Sequence, residues 1–285
     1  MRIAIIGLGL IGGSIGLGLK RSGVQDLKIV GIPRREETLT AAKAMGAIDE
    51  GTTDHSKGVS DADLVFICTP LNLILPVINE ISKSLKKGAI VTDVGSSKYE
   101  IVSAAEKAMP KGVFFVGGHP MAGKETTKLE AAEAELFRNK TWVITKTSKT
   151  SQKALEKIKQ VVGWLGGSVL EMDTKTHDLV VAGISHLPLA VAAALVNSIA
   201  GEPEKELMAK AAASGFRDTT RIASGDPILG VDMFTTNKKA VLKMIGAFKK
   251  ALAELERAVK EGNGEKIREE LLKAKTARDA IYGQS

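Results

Sequence analysis

An apolar strand, a glycine turn and a helix follow one another without a gap in the first 21 residues, and no other stretch limits the fold so tightly. Arg2 opens the run Ile3-Ala4-Ile5-Ile6, which is strand-length and rich in β-branched side chains. Gly7-Leu8-Gly9-Leu10-Ile11-Gly12 follows at once and matches G-x-G-x-x-G. A bare glycine pattern is weak, but between a strand and a helix it is the dinucleotide fingerprint. Gly7 permits the tight turn, Gly9 lets backbone approach a pyrophosphate, and Gly12 lets the helix lie close to the strand. The helix start at Leu10 and Ile11 then offers unpaired N–H groups and a positive dipole end to the phosphates.

The rest of the chain alternates in the same way. Strands are predicted at 28–32, weakly at 47–50, and at 64–68, 89–93, 113–116, 142–145 and 168–172. Helices are predicted between them, at 36–44, 73–85 and 152–165, with another after Lys98. This order predicts an α/β fold, a Rossmann-type, doubly wound and mostly parallel sheet. After Asp173 the pattern turns helical. The stretch 179–199 is apolar on all sides and reads as a buried helix, and further helices are expected at 203–214, 237–260 and 264–281. In the helix over 237–260, Val241, Ile245, Phe248, Leu252, Leu255 and Val259 recur at three- and four-residue steps, which marks a core or subunit face. The expected organisation is a dinucleotide-binding domain over 1–172 and an all-α domain over 173–285.

Cys68 is the one cysteine, so no intrachain disulfide forms, which fits a reducing compartment and a cytoplasmic location. The chain begins on a strand, so no signal peptide is expected. No unbroken apolar run reaches the ~18 residues of a membrane helix, and no membrane association is expected. The net charge of +7 is spread over scattered lysines, and aromatic residues make up only 4% of the chain. No stacking platform or basic helix stands out, so small anions are favoured over nucleic acid as ligands.

In NAD-binding versions of the fold an acid lies near the end of the second strand and bonds the ribose hydroxyls. Here that place holds Ile32-Pro33-Arg34-Arg35. Two guanidiniums suit a 2′-phosphate, so NADP is expected, with NAD as the weaker alternative. A solvated arginine pair in a turn is the other explanation. Thr69-Pro70, closing the fourth strand, is placed on the same cofactor edge.

Ligands of such sheets bind beyond the carboxyl ends of the strands. Two polar clusters fall there, Ser96 within Asp93-Val94-Gly95-Ser96-Ser97-Lys98 and His119 within Gly117-Gly118-His119-Pro120-Met121-Ala122-Gly123. Both are expected to face the nicotinamide. Of the other histidines, His55 reads as a surface residue. His177 and His186 are nine apart, on opposite faces of an unbroken helix, unless Pro188 bends it. His186 lies among apolar residues, as a satisfied core histidine or as a site residue. Asp218 and Arg221 are three apart, either a structural ion pair or an arginine aimed at a substrate carboxylate.

Five blocks in order carry a family resemblance: residues 7–14, 93–98, 117–123, Ser185-His186-Leu187-Pro188, and 216–223. Over about 1–235 the chain resembles the prephenate and arogenate dehydrogenases of tyrosine synthesis. The resemblance implies a Rossmann domain, an all-helical second domain and a homodimer made through the helices. It implies oxidative decarboxylation of a cyclohexadienyl substrate, with His119 taking the proton of the C4 hydroxyl as hydride leaves C4. Ser96 would bond that hydroxyl or His119, and His186 would be a second active-site histidine. Arg221 would bind a substrate carboxylate, supported by Asp218 and Glu125. An imidazole titrating near 6.5 suits such a base if the site leaves it unperturbed.

Three departures stand out. Gly230 occupies the place of a usual tryptophan, which removes bulk from the subunit contact or the site wall. Lys124 replaces a small hydroxyl residue and is expected to attract a substrate carboxylate, favouring prephenate. The chain stops after the helical part, so no appended regulatory or mutase domain is expected. Two other readings remain: another Rossmann-plus-helical dehydrogenase, such as a β-hydroxyacid dehydrogenase or imine reductase, and a non-catalytic NADP sensor. Gly118-His119-Pro120 counts against the first, and Ser96, His119 and Arg221 together count against the second.

Overall fold

The structure, a computed structural model, describes residues 1–124, 126 and 128–283. Eight strands form one sheet in the order β3-β2-β1-β4-β5-β6-β7-β8. These are β1 (Arg2–Ile6), β2 (Lys28–Ile32), β3 (Glu50–Gly51), β4 (Leu64–Ile67), β5 (Ile90–Asp93), β6 (Phe114–Pro120), β7 (Thr141–Thr145) and β8 (Ser168–Met172). All neighbours pair in parallel except β6 and β7. Reversal of strand order on either side of β1 makes the sheet doubly wound, as expected.

β1 shows why the sequence adopts this layering. Ile3 and Ile5 point into one apolar layer with Leu10, Ile15 and Leu19 of α1 (Leu10–Arg21). Leu39 of α2 (Glu36–Ala44) also packs in that layer. Ala4 and Ile6 point into the opposite layer, with Val59 of α3 (His55–Val59) and Ile74 and Ile78 of α4 (Ile74–Ile81). Ile101 and Ala105 of α5 (Tyr99–Ala108) complete it. α6 (Gln152–Trp164) returns to the first face through Leu155, Ile158 and Val162. Strands covered on both faces need apolar residues at every position, which is why they read as runs rather than alternations.

One strand is longer than its sequence suggests. The sequence predicts a strand over 113–116, with His119 beyond its carboxyl end. Instead Val116 pairs with Thr92 of β5, and Gly117–Pro120 pair antiparallel with Trp142–Thr145 of β7. The second pairing keeps the chain extended through His119. A strand bracketed by two partners of opposite sense cannot be read from its own residues.

Beyond β8 the chain forms α7 (Thr174–Val181), a π turn at Ala182–His186, and α8 (Leu187–Ala200). Then come α9 (Lys205–Ala211), α10 (Ser214–Thr220), a 3-10 turn at Arg221–Ser224 and α11 (Pro227–Thr236). The helix expected over 179–199 is not buried within the chain: of α8 only Ala192 is buried, and Ile184 is 63% exposed. The segment Thr174–Ala200 also has, by length and composition, what a membrane span needs, with mean hydropathy 2.2 in its most apolar window. The unbroken-run criterion missed this because Ser185 and His186 interrupt the stretch. Gly230 of α11 is buried, and a Cβ there would meet Leu189 at an ordinary 3.4 Å.

Contacts divide the chain into two compact units, Met1–Lys238 and Lys239–Ser285. The second holds most of α12 (Lys238–Lys260) and all of α13 (Gly264–Tyr282). Gly262 turns between them at φ +60°, and the Asn263 side chain caps α13 by accepting from the Lys266 N–H at 3.0 Å.

Candidate active site

The carboxyl ends of β1, β4, β5 and β6 share one edge of the sheet, and Gly7, Thr69, Ser96 and His119 lie along it. Gly7 has φ +89°, and its N–H donates to the Ile32 carbonyl at 3.0 Å. A Cβ on Gly7 would stand 2.7 Å from the Cys68 carbonyl oxygen, and one on Gly12 would stand 2.0 Å from the Gly7 oxygen. Only glycine fits either place. Gly9 precedes α1 in extended conformation, with no side-chain cap and no acid in the first turn. The N–H groups of Leu10, Ile11 and Gly12 are therefore open to an anion. Thr69 Oγ1 is buried on the same edge without a hydrogen-bond partner among the described residues. An uncapped helix start beside an orphaned hydroxyl fits a dinucleotide.

Arg34 and Arg35 are exposed just beyond β2, and Arg35 precedes α2. Glu36 and Glu37 follow in the first turn of that helix, and Glu36 accepts from Thr53 Oγ1 at 3.0 Å. Cys68, next to Thr69, keeps its proton: burial and the charge of Asp93 hold its thiol far above the usual range.

Asp93 closes β5 and is fully buried, with its carboxylate against the equally buried ammonium of Lys98. It also accepts from the Gly95 N–H at 2.9 Å and the Gly118 N–H at 3.3 Å. The second bond ties the Ser96 loop to the strand that carries His119. Burial pulls the Lys98 pKa down, opposed by the charge and hydrogen bond of Asp93 and the charge of Asp178.

His119 is joined to α7. Its Nδ1 lies 2.9 Å from His177 Nε2, and His177 Nδ1 lies 2.8 Å from Asp178 Oδ1. Asp178 in turn accepts from the Lys98 N–H at 2.7 Å and the Tyr99 N–H at 3.0 Å, at the start of α5. A carboxylate is stable there because it meets two unpaired donors and the positive end of a helix. His119 is perturbed, against the simple expectation. Desolvation first, then the charges of His177, Lys98 and His186, hold its pKa well below 6.5. The imidazole is thus neutral at neutral pH.

His177 and His186 were expected on opposite faces of one helix. The π turn at Ala182–His186 overturns this. It rotates the chain less per residue than α winding does, and such turns often mark functional sites. Both histidines come close enough for their charges to bear on His119. Pro188 follows the π turn within one continuous helical run, Thr174–Ala200, where its missing N–H removes a bond to the turn before it. Asn237 fixes the second ring: its Nδ2 donates to the Asp178 carbonyl at 2.7 Å and lies 3.3 Å from His186 Nδ1. His186 Nε2 is then the protonated nitrogen, buried and without a partner among the described residues. Burial lowers the His186 pKa to about 4.

His177, Asp178, Asn237 and Lys98 were not foreseen as site residues. The one signal for His177 was a histidine followed by an acid at a helix start, and the assumed α phase hid it.

The other expected residues are placed as follows. Ser96 is half-buried in the loop after β5. Neighbouring Ser97 donates to Thr236 Oγ1 at 3.0 Å. Arg221 opens the 3-10 turn after α10. Asp218 pairs with its neighbour Arg217 at 3.2 Å, both exposed. Lys124 is ion-paired with Glu133. Glu125 lies outside the described residues. His55, as a surface pair, contacts Glu80 at 2.9 Å.

Two family models match the chain: prephenate dehydrogenase, nucleotide-binding domain, over residues 15–171, and prephenate dehydrogenase, dimerization domain, over residues 173–273. Prephenate dehydrogenase of Bacillus subtilis is 35% identical over 281 residues, 98% of this chain and 76% of that protein. Among solved structures, A. aeolicus prephenate dehydrogenase in complex with hydroxyphenyl propionate and NAD+ superposes with a TM-score of 0.92 at 37% identity, covering 99% of this chain and 98% of that one. Synechocystis arogenate dehydrogenase gives 0.88 at 35% identity, covering 99% and 100%.

Proposed function

This chain belongs to the prephenate dehydrogenase family, and on that premise we propose that it oxidatively decarboxylates prephenate or arogenate with NADP as hydride acceptor. The observation that carries the reading is a neutral imidazole, His119, at the carboxyl edge of the sheet near a second buried imidazole, His186, whose Nε2 has no partner among the described residues.

His119 takes the proton of the C4 hydroxyl at Nε2. Ser96, one strand away, bonds the same hydroxyl or the ring. A nicotinamide held at this edge would supply the acceptor for the hydride released from C4. Carbon dioxide then leaves C1 and the ring becomes aromatic. The oxygen is left as a phenolate, so the proton held by His119 returns to it. His119 therefore serves as base and then acid, with no net proton consumed.

His186, protonated at Nε2, donates to an acceptor on the substrate. Arg221 binds a substrate carboxylate, with Asp218 and Glu125 as supports. Lys124 recruits a second carboxylate by leaving Glu133. An exposed ion pair is worth roughly 0–1 kcal/mol, so the exchange is easy. Gly7, Gly9, Leu10, Ile11 and Gly12 hold the pyrophosphate, and Thr69 and Pro70 wall the cofactor. The A. aeolicus relative was solved with NAD+. Arg34 and Arg35 are what direct this chain to the 2′-phosphate of NADP.

Residues 1–172 serve the dinucleotide, and 173–285 serve the substrate and a homodimer. Exposed apolar residues support the dimer, Ile184 and Leu207 in the first compact unit and Leu252 and Leu271 in the second. A cytoplasmic site of action follows from a biosynthetic role. Absorbance at 340 nm with both substrates and both cofactors tests the reading. Turnover with neither substrate removes it.

A further inference from the structure

We propose that His177 and Asp178 are positioning residues that lock His119 in the tautomer with its proton on Nδ1, leaving Nε2 bare toward the substrate. This rests on the reading of His119 as the base, and extends it to two residues that never touch substrate.

The assignment is anchored on two groups with only one possible role. The backbone N–H groups of Lys98 and Tyr99 can only donate, at 2.7 and 3.0 Å, so both oxygens of Asp178 are acceptors. With Asp178 as the acceptor at the start of α5, the contact 2.8 Å away from His177 Nδ1 is assigned as a donated N–H. A neutral His177 then has a lone pair on Nε2. That lone pair faces His119 Nδ1 at 2.9 Å, so the proton between them belongs to His119. A neutral imidazole carries one ring proton, and with Nδ1 occupied Nε2 is free to accept. His177 is wholly buried, so no water competes for the contact.

The same chain gives the site a way to hold the proton it takes. When Nε2 accepts the hydroxyl proton, the Nδ1 proton can pass to His177 Nε2. The positive charge then lies on His177, beside the Asp178 carboxylate. Its return restores His119 for reprotonation of the product oxygen. One proton enters at Nε2, one leaves from Nδ1, and no further reactant is needed.

The test uses the full-length protein with 15N-labelled histidine. The chain has four histidines, and loss of signal in His119→Asn assigns the one of interest. Wild type should show His119 with Nδ1 protonated and Nε2 bare from pH 6 to 8, a result independent of turnover. A His119 proton found on Nε2 overturns the proposal by itself. In His177→Phe the two tautomers should mix, and kcat should fall about 10²-fold with KM held within about threefold. His177→Gln, which keeps an acceptor for the Nδ1 proton, should recover at least about tenfold of that loss. Unchanged kcat in a folded His177→Phe overturns the proposal. If the wild type turns over neither cyclohexadienyl substrate, the proposed activity falls while the tautomer result stands on its own.

Discussion

The backbone N–H of Lys98 donates to the Asp178 carboxylate at 2.7 Å, joining the end of the parallel sheet to the first helix beyond it. One residue thereby serves two structures. The Lys98 side chain pairs with Asp93 inside the sheet edge, while its backbone holds the helix that carries His177.

Breaking that buried pair on one side should be costly. Lys98→Met leaves the Asp93 charge, among the described residues, with the N–H groups of Gly95 and Gly118. Loss of one partner from a buried ion pair costs about 3–5 kcal/mol. Denaturant unfolding should show that loss, and Asp93→Asn combined with Lys98→Met should recover part of it. A single variant as stable as wild type would mean that water reaches Asp93.

His119→Asn should lower turnover by about 10²–10⁴-fold with the fold intact by circular dichroism. Undiminished turnover would remove His119 as the base.

Acid should cost this protein both activity and stability. His119, His177 and His186 all titrate below 6.5 in the folded chain, His186 at about 4. Below pH 6.5 the unfolded chain binds more protons than the folded one. Stability is therefore fully present above about 6.5 and falls toward pH 4, with a slope on the order of 1.4 kcal/mol per pH unit for each such histidine. The acid limb of kcat/KM should likewise lie below 6.5. Urea unfolding and initial rates between pH 4.5 and 7.5 measure both. Equal stability at pH 5 and pH 7.5 would contradict the burial of neutral imidazoles.

Arg34→Ala with Arg35→Ala should raise the KM for NADP by at least about tenfold and leave that for NAD within about threefold, since each charged contact to phosphate is worth about 1.5–3 kcal/mol. Equal loss for the two cofactors would mean that the arginines are a solvated pair.

Gly12→Ala should abolish tight cofactor binding, because the added carbon would stand 2.0 Å from the Gly7 oxygen and only a backbone shift could relieve it. Titration by the quenching of Trp fluorescence reads the change. Wild-type affinity would show that the helix can move away from the strand.

What could be read from residues alone follows a physical rule. The strand, turn and helix at the start were legible because glycine requirements and apolar runs are local. The extension of β6 through His119 was not, since it depends on β7 arriving antiparallel from residue 141. The apolar character of α8 was plain, but whether such a helix is covered from within or by another chain is no property of its own sequence. Ser96 and His119 stood out as candidates because they follow the apolar runs of β5 and β6. His177 and Asp178 were missed because their partners lie 58 and 80 residues away.

The π turn at Ala182–His186 has a consequence for how this site can vary. A turn of that kind carries one residue more than regular winding needs. Deleting any single residue from it would let the backbone relax, and everything downstream would swing around the axis. The ring at 186 would leave the pocket while every other side chain kept its chemistry. Inheritance of the pocket therefore depends on a spacing, and a substitution-by-substitution comparison of relatives would overlook the one change most able to silence it.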